Sequence, residues 1–80
     1  MTEQPIYLER IDRQRNMARY YALSIEPSLF GDPILVRRWG RIGGASQQKL
    51  QFCVGNSDAE LLLRRLLAAK RRRGYREPAI

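Results

Sequence analysis

The sequence predicts an α+β fold: a small antiparallel β-sheet of about four to five strands with one C-terminal α-helix packed on one face. Three observations predict it. Short segments with alternating apolar residues recur along the first two-thirds of the chain, separated by turn-forming residues. One leucine-rich segment of helical period follows them. The 80 residues are 44% apolar, enough for one small core and too many for a disordered basic tail.

The elements come in order. Residues 1–5 and 77–80 carry prolines and little pattern and are expected to be flexible, leaving one domain over residues 6–76. Ile6–Ile11 is the first strand, its alternation too mixed to assign a buried face, and Asp12–Asn16 is a polar turn. Arg19–Glu26 is the second strand, with Tyr21, Leu23 and Ile25 on one face. Pro27 ends it, and Phe30–Pro33 supplies turn chemistry for a hairpin. The third strand, Ile34–Ile42, stops at Gly43-Gly44. The fourth, Gln48–Val54, alternates Leu50, Phe52 and Val54 with Gln51 and Cys53. A helix follows, opened by the capping-box pair Ser57 and Glu60, with Asp58 in the first turn. Leu62, Leu63, Leu66 and Leu67 make its apolar face, and Gly74 suits a left-handed position after its end, with Tyr75 folding back.

Charge is distributed unevenly. Fifteen Lys and Arg stand against eight Asp and Glu, a net charge of +7. Residues 64–76 hold seven of the cations and no acid, so the whole surplus belongs to that segment. Thirteen of the fifteen cations are arginine, whose planar fork suits phosphate and ring stacking. This is the electrostatic footprint of a polyanion binder. The competing reading is a solvated helix face.

Other classes lose their carriers. With no histidine and one cysteine, no metal site or cofactor is expected, and acid–base chemistry near neutral pH lacks its usual residue. The acids show no paired spacing and no nucleophile has a visible base, so an enzyme is not expected. No apolar run reaches the roughly 20 residues of a membrane span, and the first residues do not read as a signal peptide. One cysteine, Cys53, fits a reducing cytoplasm.

The third strand carries the sharpest signal. Period two places Ile34, Val36 and Ile42 on one face with Gly40, and Leu35, Arg37, Trp39 and Arg41 on the other. If the core takes the first set, Trp39 stands on the outer face between two arginines, ready to stack while they hold phosphates. The structural alternative is a tryptophan that roofs the sheet beneath those arginines, with Gly40 a mere twist or bulge. On this reading the Arg64, Arg65, Arg71 and Arg72 face lies across the sheet from Trp39. Lys70, Arg73 and Arg76, at the helix end, are the cations able to wrap towards it.

Trp39-Gly40-Arg41 at the end of a strand, an Arg-Tyr-Tyr strand before it and a Leu-rich helix ending in Lys-Arg-Arg-Arg-Gly-Tyr resemble the WGR domain. The likeness covers roughly residues 6–76 and suggests a bacterial stand-alone member of that family. It implies the module that binds DNA at strand breaks in poly(ADP-ribose) polymerases, also built as a small antiparallel sheet with one helix. The motif tryptophan there packs on sugar and the arginine on backbone, roles that fall on Trp39 and Arg41. Polar residues before the paired-aromatic strand also contribute, which leaves Asn16 and Arg19 as alternatives, and Tyr75 matches an aromatic near the DNA terminus loosely. The polymerases' catalytic, helical and zinc-finger domains have no counterpart in these residues, so their ADP-ribosylation activity is not implied.

The reading is therefore a nucleic-acid-binding module, favouring DNA with RNA left open as a variant, preferring strand ends or nicks and reading no base sequence. Its site is drawn from Trp39, Arg41, Arg37, Gly40, Arg19, Asn16, Lys70, Arg73, Tyr75 and Arg76. The alternative is a protein-interaction adaptor anchored by Trp39, since Trp and Arg dominate interface hot spots.

Overall fold

The computed structural model describes residues 5–78. Four strands, β1 (Ile6–Asp12), β2 (Met17–Pro27), β3 (Pro33–Arg41) and β4 (Ser46–Phe52), precede one helix, α1 (Gly55–Arg72). They form one antiparallel sheet in sequence order, the simplest meander, with tight turns between neighbours. The α+β architecture thus has four strands. The terminal segments 1–4 and 79–80, expected to be flexible, lie outside the described residues. Glu77, just before the second of them, is paired with Arg71 at 3.1 Å.

Turn residues fix the meander. Asn16 ends the first turn with φ +51°, a conformation asparagine tolerates better than most residues. Gly40 is dictated by close approach. A Cβ there would strike the Ala45 carbonyl oxygen and lie 3.1 Å from Ser46 Cα, where the chain doubles back into β4. Gly40 is thus a packing glycine rather than a free twist.

The core lies between the sheet and α1. Leu8, Leu23 and Leu35 are completely buried, joined by Tyr21, Ile25, Cys53, Ala59, Leu63 and Tyr75. Burying one such leucine contributes about 1.5–3 kcal/mol. Leu62, Leu66 and Leu67 pack against this cluster, as the helical period requires.

Three expectations are corrected. First, β3 turns the opposite face to the core. In the β2–β3 ladder Ile25 faces Leu35, Leu23 faces Arg37 and Tyr21 faces Trp39. Directly paired residues share a face. The buried side of β2 therefore carries Leu35, Arg37 and Trp39 with it towards α1, and the exposed Arg41 continues the same face. Both faces of β3 carry apolar residues, so its alternation alone does not choose between them. Second, β4 begins two residues earlier and keeps Leu50 and Phe52 out of this core; Cys53, just past its end, is the residue that enters it. Third, the helix opens ahead of Ser57, the expected N-cap. Its N-cap is Val54 with no side-chain cap, and the chain enters through Gly55 at φ +79°, which puts Ser57 inside the first turn. Asp58 does occupy that turn, and Lys70, Arg71 and Arg72 occupy the last, each complementing the helix dipole.

The far end of α1 shapes the site. Gly74 takes φ +98°, its N–H donating to the Arg71 carbonyl at 3.0 Å, and the Tyr75 N–H donates to the Lys70 carbonyl at 3.1 Å. This reversal drops Tyr75 into the core. Arg76 then pairs backbone to backbone with Glu9 and closes the β1 edge. Among the described residues no helix is long and apolar enough to cross a membrane.

Candidate nucleic-acid interface

Register builds the site. Arg10 on β1 faces Arg19 on β2, and Arg19 faces Arg41 on β3. Paired positions on neighbouring strands stand only about 4.5–5.5 Å apart, and like charges placed so are destabilising. Three guanidinium-bearing residues thus cross the sheet in a row, one step from Tyr21 and Trp39 on the same face. From above, the last turn of α1 adds Lys70 and Arg73.

Together they line a cleft of about 410 Å³ whose walls are Arg10, Arg19, Tyr20, Trp39, Gly40, Arg41, Lys70, Arg73 and Tyr75. Among the described residues no carboxylate lines it and no ion pair reaches its cations. The floor is aromatic. Tyr21 lies with its ring centroid 6.5 Å from Trp39, tilted by 34°, and 6.2 Å from Tyr75, edge on. Trp39 is half-buried: packed on the core by one side, facing the cleft by the other.

Lys70 Nζ sits 4.5 Å from the centroid of the Tyr21 ring and 5.3 Å from that of Tyr75. Burial lowers its pKa from the ordinary lysine value, and the charges of Arg73, Arg37 and Arg19 lower it further. Burial also raises the Tyr21 hydroxyl, which the Arg37 guanidinium partly counters. The cleft therefore crowds positive charge onto a greasy floor. Its chemistry suits a ligand with a flat or apolar face and closely spaced anionic oxygens.

Of the residues singled out from sequence, Trp39, Arg41, Gly40, Arg19, Lys70, Arg73 and Tyr75 meet at this cleft. Asn16 stands at its rim, where its carbonyl accepts a hydrogen bond from Arg41 Nη1 at 3.2 Å. Arg37 lies under α1, outside the lining, with its Nε buried and without a hydrogen-bond partner among the described residues. Arg76 is committed elsewhere: its Nη1 donates to the Arg71 and Tyr75 carbonyls at 2.8 Å, tying down the helix end. Arg10 joins the cleft from β1, whereas Tyr20, though it borders the cleft, turns its ring to the opposite face of the sheet, stacked on Tyr7 with centroids 5.8 Å apart. Arg10 becomes visible only through its pairing with Arg19, because β1 alone shows no clean alternation.

The corrected β3 face also changes the global geometry. Trp39 and α1 share one side of the sheet, so the helix end adjoins the indole instead of lying across from it.

Comparison with known proteins agrees. The WGR domain model matches residues 4–79. An uncharacterized protein, y4dW, of Sinorhizobium fredii (strain NBRC 101917 / NGR234) is 54% identical over 78 residues, which is 95% of this chain and 38% of that protein. The chain thus spans under two-fifths of the length of that relative. No solved structure matches it. Tripeptide, fold and family match coincide, and the chain belongs to the WGR domain family of nucleic-acid-binding modules.

Proposed function

We propose that the cleft binds the sugar-phosphate backbone of DNA at a strand end or nick, without reading base sequence, and that the chain is a binding module rather than an enzyme. One observation carries this reading: Arg10, Arg19 and Arg41 stand in register across three strands, with Lys70 and Arg73 above and, among the described residues, no acid lining the cleft. Such a row is unfavourable in the free protein and becomes favourable once phosphates enter. Trp39 and Tyr75 then offer a face to the sugar or terminal base, as the family resemblance implies for Trp39 and, loosely, for Tyr75. A recessed cleft admits a chain terminus more readily than the middle of a continuous duplex, which favours ends and nicks. α1 meets the site only by its C-terminal end, through Lys70, and lays no face along a groove, so recognition is by backbone and shape.

The test compares nicked, blunt-ended and covalently closed DNA at two salt concentrations. Affinity for the nicked and blunt forms is expected to exceed that for closed DNA and to fall steeply with salt, as counterion release requires. Trp39→Ala should cost about 1–3 kcal/mol on ends and little on closed circles. Arg19→Gln should lower the salt slope by about one phosphate contact, with the fold unchanged. Equal affinity for all three forms, insensitive to both substitutions, would leave only a non-specific basic helix. Absence of binding at low salt would favour the adaptor.

A further inference from the structure

The sheet has two edges, and they are finished differently. At β1 the C-terminal segment caps the middle of the edge with one bridge: Glu9 N–H donates to the Arg76 carbonyl at 2.7 Å, and Arg76 N–H returns a bond to Glu9 at 2.8 Å. At β4, among the described residues, nothing comparable occurs. All seven residues of β4 are exposed, and α1 packs on β2 and β3 but not on β4. An uncovered edge strand is a template for another strand.

One hydrogen bond reveals which backbone groups stand free. Cys53 N–H donates to the Pro33 carbonyl at 3.0 Å, continuing the register of the β3–β4 ladder. In an antiparallel pair the inward-bonding residues alternate with outward-turned ones. Gln47, Lys49 and Gln51 therefore bond to β3, while Gln48, Leu50 and Phe52 turn their N–H and C=O groups away from it.

The strand also lacks the usual edge defences. It contains no proline, its pairing with β3 is continuous, and Lys49 is its one charge. Leu50 is 48% and Phe52 69% exposed, on the outer face of the sheet beside Val36 and Ile34.

We propose that β4 pairs antiparallel with β4 of a second copy, about a two-fold axis at Leu50, so that two four-stranded sheets join into one. The occupant follows from self-complementarity. Centred on Leu50, the pairing sets Leu50 against its copy, Gln48 against Phe52 and Lys49 against Gln51, and the outward groups of both strands meet. A register centred on Lys49 would oppose two ammonium groups. One centred on Gln51 would overlap only the last three residues of each strand. In the favoured register the leucines, with Phe52 of each copy, extend the apolar row begun by Val36 and Ile34. The axis is perpendicular to the sheet, so both helices lie on the same face. Neither cleft is covered, because β4 takes no part in its lining.

Strand pairing of this length makes an interface at the small, weak end of the range. Sedimentation equilibrium of the chain without nucleic acid, from about 10 µM to about 1 mM, is the test. The weight-average mass is expected to rise from one copy towards two. Gln48→Pro removes an outward N–H while sparing the backbone ladder to β3, though it also loses the bond that Arg38 Nε donates to Gln48 Oε1 at 2.8 Å, and Leu50→Lys places two ammonium groups face to face at the axis. Both variants should remain monomeric throughout, with an unchanged circular dichroism spectrum. If Gln48→Pro unfolds, the exposed Leu50→Lys site still decides the matter. A wild-type mass that stays at one copy, that grows past two, or a dimer indifferent to Leu50→Lys would overturn the proposal. None of these outcomes depends on nucleic-acid binding.

Discussion

Lys70 shows how a single residue can be tuned by its surroundings. Its ammonium stands over two tyrosine rings, where burial first, and the charges of Arg73, Arg37 and Arg19 after it, press its pKa below the ordinary 10.5. In the free protein, then, Lys70 gives up its proton at a lower pH than an exposed lysine. A bound phosphate supplies the missing opposite charge and raises the pKa again, so binding takes up a proton in that window. Affinity for a nicked duplex is accordingly expected to decline as pH climbs towards the lysine range. Lys70→Arg, which stays charged throughout, should abolish the decline. Fluorescence anisotropy at fixed ionic strength checks this, and parallel pH profiles for the two proteins would contradict it. Trp39 plays a double part at the same scale. It packs against the core and forms a wall of the cleft, so Trp39→Ala is expected to cost stability as well as affinity. Arg19→Gln, at an exposed position, separates the two effects.

At the scale of elements, the β3–β4 connection bears the strictest constraint. Gly40 lies inside the W-G-R tripeptide, and the returning chain leaves no room for a Cβ against Ala45. Gly40→Ala must displace backbone, and a cost of about 1–3 kcal/mol is expected, as for other overpacked sites. For a domain of this size each kcal/mol lowers Tm by roughly 4–8 °C, which calorimetry resolves readily. An unchanged Tm would show that the turn gives way. The existence of all five elements was legible in the sequence, because alternation and helical period are local properties. Which face of β3 meets the core was not. Ile34 and Val36 argue for one side as well as Leu35 and Trp39 argue for the other, and only pairing of Tyr21 with Trp39 and Ile25 with Leu35 decides. The helix start is hidden from the sequence for a related reason. Ser57 and Glu60 have the capping spacing, yet Gly55 at φ +79° begins the helix before them, a backbone preference the side-chain pattern does not register. The site was legible where chemistry is local, in Trp39, Arg41 and the basic helix end. Arg10 was hidden because its role exists only across strands.

Across the whole molecule, the positive surplus of residues 64–76 divides by task. Lys70 and Arg73 enter the cleft, Arg76 holds the helix end, and Arg71 is paired with Glu77. Arg64, Arg65 and Arg72 remain exposed on α1. Because α1 covers the face that carries Trp39, a backbone leaving the cleft at the helix end meets further positive charge on the same side of the sheet. A net charge of +7 also speeds the encounter with a polyanion, an effect that fades with salt. The most direct test follows the cleft itself while a nicked duplex is titrated into isotopically labelled protein. The largest NMR shifts are expected at the Trp39 indole N–H and at the amides of Gly40, Arg19 and Tyr75. A Trp39 indole that stays put while shifts gather around Arg64 and Arg65, or along β4, would contradict this expectation.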